Sequence, residues 1–307
     1  MSITVVKPGM LTTIQDGGRW GHQHQGVPPA GPMDAFSFRL ANRLVGNEDW
    51  DAGLEVTLVG PRLLCDDDAI VAIAGADLSP SIPMGQACRV PRGEVLRFGE
   101  RKSWTRAYVA VRGGINVPPV LGSRATSLPS GLPELAGRAI RAGDRLEIGP
   151  ARAPAPPLRR SAFARKAPSG AMPVRFLWGP DRERFSDAVA EQFVSGTFRI
   201  SPESNRMGYR LEGAALSVDA HAGRMLSEAT PVGSIQIPPS GQPILLMADR
   251  QTAGGYARIG TVITADLALA GQLALGEMLR FVPCDLATAL AALHDQERAL
   301  AECVAPA

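Results

Sequence analysis

Apolar residues along this chain come mostly in short runs of strand length, each closed by Gly, Pro, Ser or Asn. Ile235–Ile237 and Ile244–Ala248, separated by Pro-Pro-Ser-Gly, form the clearest pair, and strand-length runs bounded by turn residues predict buried β-structure. Helical periodicity is confined to three places. Asp34 can cap a helix over Ala35–Val45, where Phe36, Leu40 and Leu44 share a face and Gly46-Asn47 ends the pattern. A second helix is predicted over Arg182–Val194, with Phe185, Val189 and Phe193 in register, and a third over Leu286–Ala301 on a Leu286, Leu290, Leu293 stripe. The remainder is predicted as strand and turn.

Near the middle, residues 151–173 cluster Pro, Ala and Arg with little apolar periodicity, which suits a linker or a surface strap. The chain is therefore predicted as an N-terminal β-domain over 1–150 and a C-terminal β-domain over 174–307 that carries the terminal helix. The two sides share a loose pattern. Arg141–Gly149 (RAGDRLEIG) corresponds to Ala274–Val282 (ALGEMLRFV), and Ala107–Gly114 (AYVAVRGG) to the strand in Pro243–Ala253 (PILLMADRQTA). Either a degenerate tandem repeat of one β-domain or the punctuation common to β-proteins would account for that spacing.

Composition sharpens this picture. A length of 307 residues allows two domains, 45% apolar content supports packed cores, and 33 Gly with 26 Pro favour short strands and frequent turns. A net charge of +2 carries no nucleic-acid footprint. No apolar run approaches the roughly 18–20 residues of a membrane span, and MSITVVKPGM lacks the apolar core of a signal peptide. Cys65, Cys88, Cys284 and Cys303 form no CxxC pair, so reduced thiols and a cytoplasmic location are expected. Lys7, Lys102 and Lys166 are the sole lysines, and either genome composition or a need for planar, bidentate donors would explain the excess of Arg.

Three polar clusters are candidates for chemistry. TTIQDGGRWG (Thr12–Gly21), with GVPPAGPMD (Gly26–Asp34) after it, sets Gln15, Asp16 and Arg19 beside a Gly pair that allows close backbone approach, or else forms a hairpin satisfying its own backbone. SNRMGYRLEG (Ser204–Gly213) brings Asn205, Arg206 and Arg210, either an anion clamp or exposed strand charges. SEATPVGSIQIPPSGQPILLMADRQTAGGY (Ser227–Tyr256) supplies Glu228, Gln236, Asp249, Arg250, Gln251, Thr252 and Tyr256 at strand ends. That stretch holds no His, Cys or Lys, so hydrogen bonding of a ligand is a better expectation there than nucleophilic attack. The chain has no GxxxxGK[ST] loop, no GxSxG elbow and no Met-Lys-Met biotinylation segment. His22 and His24 lack a third ligand at a recognisable spacing, and no metal site is predicted.

On these motifs, together with ANRLVGN (Ala41–Asn47), GLE (Gly53–Glu55) and ARIGTVITADL after Tyr256, the chain resembles the carboxyltransferase domain family of urea amidolyase. That family includes the C-type component of 5-oxoprolinase and the Kip-type antagonist proteins. The resemblance implies a mainly β fold with a few helices, built as two cyclophilin-like β-barrel domains in tandem with a ligand site between them. Carried over motif by motif, it implies Gln15, Asp16, Arg19 and Asp34 from the first cluster. Asn205, Arg206 and Tyr209 come from the second, and Gln236, Asp249, Gln251, Thr252 and Tyr256 from the third. By chemistry, Arg206 or Arg19 would pair with a carboxylate or a phosphorylated intermediate, Gln236 and Gln251 would bind an amide, and Asp249 or Asp16 would accept an N–H or a proton. Ala229, Thr230 and Ala253 depart from the family pattern conservatively.

The resemblance further implies one component of an ATP-dependent 5-oxoprolinase that opens 5-oxoproline to glutamate. Such a component is bound tightly to a B-type partner and acts with an A-type partner, ATP being held with a partner. Two alternatives stand beside it. One is a carboxyltransferase acting on urea or a related amide, with biotin on a separate carrier; the other is a Kip-type regulatory binding protein. Nucleic acid and membranes are not expected partners.

Overall fold

The computed structural model describes residues 1–132, 137–152, 158–161, 163, 165, 167, 169–218 and 225–306. The chain divides into two units, one formed by residues 1–20, 29–167 and 297–307, the other by 21–28 and 168–296.

The first unit contains β1 (Ser2–Lys7), β2 (Leu11–Gln15), α1 (Ala35–Val45), β3 (Gly53–Thr57), β4 (Arg62–Cys65), β5 (Ala69–Asp77), β6 (Ala87–Val90), β7 (Val95–Leu96), β8 (Ser103–Val111) and β9 (Arg145–Glu147). They form a five-stranded sheet in the order β2-β3-β8-β5-β6 and a four-stranded sheet in the order β7-β4-β1-β9, with antiparallel pairing throughout. Both sheets contribute fully buried side chains: Val5, Leu63 and Leu96 from the smaller, Leu54, Val56, Ile73 and Tyr108 from the larger. The amphipathic helix α1 packs on β5 and β8. Its start is chemical: Asp34 is extended and its carboxylate accepts from the Ser37 backbone N–H, an N-cap worth about 1 kcal/mol.

Part of the Pro/Ala/Arg segment is pinned to this unit rather than running free. Strand β10 (Arg159–Ser161) pairs with β20 (Val304–Pro306), Arg160 bridges to Gln86, and Phe163 packs on Phe36 with ring centroids 4.4 Å apart.

The second unit contains β11 (Met172–Trp178), α2 (Asp187–Ser195), β12 (Phe198–Ile200), β13 (Gly208–Glu212), β14 (Glu228–Ala229), β15 (Ser234–Ile237), β16 (Ile244–Leu246), β17 (Ala253–Gly254), β18 (Ala257–Val262), α3 (Thr264–Ala270) and β19 (Met278–Pro283). Seven strands close a barrel in the order β11-β18-β15-β16-β13-β12-β19, in which β11 and β19 run parallel and every other pair is antiparallel. Closure leaves no open edge among the seven. An aromatic cluster fills one part of the unit: Phe193 of α2 stacks on Phe281 at 4.8 Å and meets Phe176 edge-on at 5.2 Å, while Phe198 lies 5.7 Å from Phe281. The hairpin β15–β16 carries the two apolar runs, and the short ladder β14–β17 stands outside the barrel. The last helix, α4 (Leu286–Glu302), begins within the residues of the second unit and ends within those of the first.

A mainly β chain with a few helices, in two β units of which the second is a closed seven-stranded barrel, is thus what the structure shows, consistent with the expected tandem of barrel domains. Three details differ from expectation. The helix predicted from Arg182 is split, because Ser186 is extended and caps a fresh start by accepting from the Val189 N–H; a 3₁₀ turn covers Arg182–Arg184. Helix α3 went unpredicted. On α4, Leu286 and Leu290 are exposed while Leu300 is fully buried, so the expected stripe is not the packed face.

Candidate functional site

In the first unit the sequence-predicted residues gather at the end of β2, and their hydrogen bonds stay within the protein. Gln15 is completely buried. Its Nε2 donates to Thr13 Oγ1 at 2.9 Å and to Thr126 O at 3.1 Å, while its Oε1 accepts from the Gly31 N–H at 3.1 Å. Asp16 Oδ1 accepts from the Gly18 N–H at 2.8 Å and from Ser123 Oγ at 2.6 Å, and Oδ2 accepts from the Arg124 N–H at 2.5 Å. Gly18 has φ +84°, a backbone state that suits glycine and closes this turn on the Asp16 side chain. Buried Arg19 donates from Nη2 to Ala125 O at 2.5 Å, and its backbone N–H reaches Pro29 O at 2.8 Å.

Asp34 completes this set as the cap of α1. Its Oδ2 accepts from Ser37 Oγ at 2.7 Å and from Arg165 Nη1 at 3.0 Å. Its own N–H donates to the Tyr108 hydroxyl, which in turn donates to Glu55. Burial first, and then the Glu55 and Asp34 charges, push the Tyr108 phenol well above its ordinary range, so it stays a neutral donor. The geometry makes these four residues clamps on the loop that follows β2.

One concavity of this unit, about 270 Å³, lies beside that loop and is lined by Asn47, Asp51, Asn116, Arg124 and Arg152 among others. None of the four clamps lines it. Asp16 nevertheless fixes the backbone N–H of Arg124, a residue that does.

The second unit assembles the other predicted residues around the β15–β16 hairpin. Arg206 and Asp249, 43 residues apart, form a buried bidentate pair, with Nε to Oδ2 at 3.0 Å and Nη2 to Oδ1 at 3.1 Å. The Asp249 N–H also donates to Arg206 O at 2.9 Å, which locks the two loops together. Asn205 folds back so that Oδ1 accepts from the Met207 N–H, and Tyr209 is buried on β13 opposite Leu245. Gln236 is buried on β15, and its Oε1 accepts from exposed Gln251 Nε2 at 3.4 Å. Thr252 is half-buried with its carbonyl bound by the Thr230 N–H, and Tyr256 is 46% exposed.

One residue of this cluster stands out beyond the predicted binders. Arg250 is 5% exposed and directs Nε to Thr230 O at 2.7 Å. Burial lowers its guanidinium to about 10, which still leaves it a cation at neutral pH. From the sequence, the anion-pairing role falls to Arg206 or Arg19, and Arg250 is named only as a polar residue of the third cluster. The signal separating Arg206 from Arg250 is which one Asp249 faces, and that is a matter of tertiary packing.

Among the described residues no three His, Cys, Asp or Glu side chains gather as a metal site, and no helix is long and apolar enough to cross a membrane.

Comparison with known proteins places this architecture. Residues 25–283 match the model of the carboxyltransferase domain, subdomain A and B. The C subunit of Escherichia coli 5-oxoprolinase is 37% identical over 303 residues, a match that covers 96% of each chain. Urea amidolyase of Lachancea kluyveri is 33% identical over 96% of this chain, which spans 18% of that much longer protein. Among solved structures, Kluyveromyces lactis urea carboxylase superposes with a TM-score of 0.90 at 30% identity over 97% of this chain and 29% of that one. The tandem β units, the buried polar loops after β2 and β16, and a family match spanning most of the sequence lead to one conclusion: this chain belongs to the carboxyltransferase-domain family.

Proposed function

We propose that the chain is the C-type component of an ATP-dependent 5-oxoprolinase, opening 5-oxoproline to glutamate together with partner chains of types A and B. The observation that carries this reading is the end-to-end similarity to a protein of that name, over 96% of both chains. The polar wall of the second unit supports it. A lactam bearing a free carboxylate needs a partner for C=O, a partner for N–H and a cation. Gln236 and Gln251 supply side-chain amides for the first two, and their own mutual contact, at 3.4 Å, is long enough to be exchanged for a ligand. Half-buried Thr252 and exposed Tyr256 follow Gln251 in the chain, while Arg206 and Asp249 hold the loop after β16 in place.

Within such an enzyme, ATP supplies activation of the lactam oxygen. This chain has no GxxxxGK[ST] loop, so the nucleotide is assigned to a site held with the partners. What this chain contributes is binding and orientation of the ring, with exclusion of water around it. Asp16 and Asp249, both engaged in internal hydrogen bonds, are assigned to positioning in this scheme.

A second reading is favoured by the family match itself: carboxyl transfer to urea or a related amide, with biotin delivered on a separate carrier. Reconstitution separates the two. The purified chain is mixed with its A-type and B-type partners and assayed for ATP turnover with 5-oxoproline, then for bicarbonate fixation onto urea with biotinylated carrier. Lactam-dependent turnover supports the first reading, and urea carboxylation without it would replace that reading by the second. A tight complex inert on every amide would leave a regulatory role of the Kip type.

A further inference from the structure

We propose that Arg250, with the Gln236 amide in the same neighbourhood, forms a carboxylate-binding site within the second unit, and that its ligand is a small planar carboxylate. The lactam identity of that ligand rests on the function proposed above; the anion site does not.

The first support is an imbalance of charge. A buried cation is ordinarily matched by an acid. Arg206 has Asp249, and Arg106 faces Glu55 at 3.7 Å. Arg250 is as buried as these, yet no acidic side chain among the described residues pairs with it, and its one side-chain hydrogen bond is from Nε to Thr230 O. Both terminal nitrogens therefore lack an acceptor among the described residues, on a planar fork shaped for two parallel N–H···O bonds.

The second support is an amide beside it. Gln236 is 2% exposed and accepts one long hydrogen bond at Oε1, while its Nε2 finds no acceptor among the described residues. That N–H is a donor still reachable from solvent, so a ligand's acceptor can meet it without breaking a bond inside the protein. The two donors share a neighbourhood. A Cβ placed on Gly254 would lie 2.7 Å from Gln236 Nε2 and 3.2 Å from Thr230 Cγ2, and Thr230 O is the atom that Arg250 holds. Absence of a side chain at Gly254 thus leaves the Gln236 amide unobstructed.

Charge selects the ligand. Arg206 is neutralised by Asp249, and Arg258 is partly exposed with Nη1 directed to Ala229 O at 3.3 Å, which leaves one buried positive charge at this place among the described residues. That matches a monoanionic carboxylate better than a phosphate dianion. Two carboxylate oxygens on the guanidinium and a carbonyl oxygen on Gln236 Nε2 would satisfy every donor named.

Calorimetric titration of the isolated full-length chain with 5-oxoproline, propionate, 2-pyrrolidinone and inorganic phosphate tests this. 5-Oxoproline is expected to bind, and 2-pyrrolidinone, which lacks the carboxylate, to bind about 10–100-fold more weakly. Arg250→Met should remove that difference, and Gln236→Leu should weaken both ligands. Since Arg250→Met removes an unmatched buried charge, its melting temperature should equal or exceed the parent's, and carboxylates should raise the melting temperature of the parent alone. Equal affinity of 5-oxoproline for parent and Arg250→Met would overturn the proposal, as would tighter binding of phosphate at this site or no carboxylate binding at all. Binding of propionate without 5-oxoproline would keep the anion site and remove the lactam reading.

Discussion

The guanidinium of Arg206 grips the carboxylate of Asp249 through two hydrogen bonds, and both side chains are buried. This pair ties the loop before β13 to the loop after β16, so the polar wall of the second unit is built on a fixed frame. Removing one partner leaves the other charge buried alone. Asp249→Ala is expected to cost about 3–5 kcal/mol of stability, and the double variant Arg206→Met with Asp249→Leu to recover much of it. Urea unfolding of the three chains checks this; a fully stable Asp249→Ala that merely lost turnover would instead make Asp249 a proton-transfer group.

Gln15 makes a parallel case in the first unit. Its side chain accepts from the Gly31 N–H and donates to Thr126 O, two hydrogen bonds that Gln15→Leu would remove. Losing two buried hydrogen bonds predicts a loss of about 2–4 kcal/mol, read from a thermal or denaturant melt. Because the cost is structural, ligand affinity of the folded fraction in the second unit should stay unchanged.

Phe193 sits at the centre of the aromatic cluster, in ring contact with Phe176, Phe198 and Phe281. Phe193→Ala should destabilise the second unit by about 3–5 kcal/mol, measured by chemical denaturation. The conservative Phe193→Leu should cost less than half of that, since more of the volume is kept.

Acid should loosen the end of α4 from α1. Arg39 hydrogen bonds hold the Glu297 carboxyl below its usual range. For Asp49, burial works the other way and is outweighed by Arg43 and Arg39. A depressed carboxylate contributes stability that is present above its unfolded pKa and lost as pH falls through the folded one. The loss is therefore expected below about pH 4, with Glu297 being partly exposed and its share correspondingly small. Hydrogen exchange at Leu300 should accelerate in that window, and Glu297→Gln should show the faster exchange already at neutral pH.

What the chain's pattern could foretell follows from how local each cause is. Helix α1 was legible to the residue because its stop and start are local chemistry: Asp34 capping Ser37, and Gly46 in the left-handed region. The strands around Pro-Pro-Ser-Gly were legible because apolar runs and turn residues suffice to define a hairpin. Helix α3 was not, since TADLALA is short, and it turns Ala265, Asp266, Ala268 and Ala270 inward rather than a periodic stripe. Its buried Asp266 is held by Arg175, a partner 91 residues away. The same distinction governs the site. The polar clusters were visible as clusters, yet that Asp249 pairs with Arg206 is a contact across 43 residues that no spacing encodes.

The central claim is that this chain lends an amide-and-guanidinium wall to an enzyme complex that opens a small lactam. Its most direct test is ATP hydrolysis by the A-type and B-type partners with 5-oxoproline, measured with and without this chain. The account predicts lactam-dependent turnover when the parent chain is added, and a KM for 5-oxoproline raised at least tenfold by Gln236→Leu. Turnover that proceeds equally without the chain, or a KM indifferent to Gln236, would contradict it.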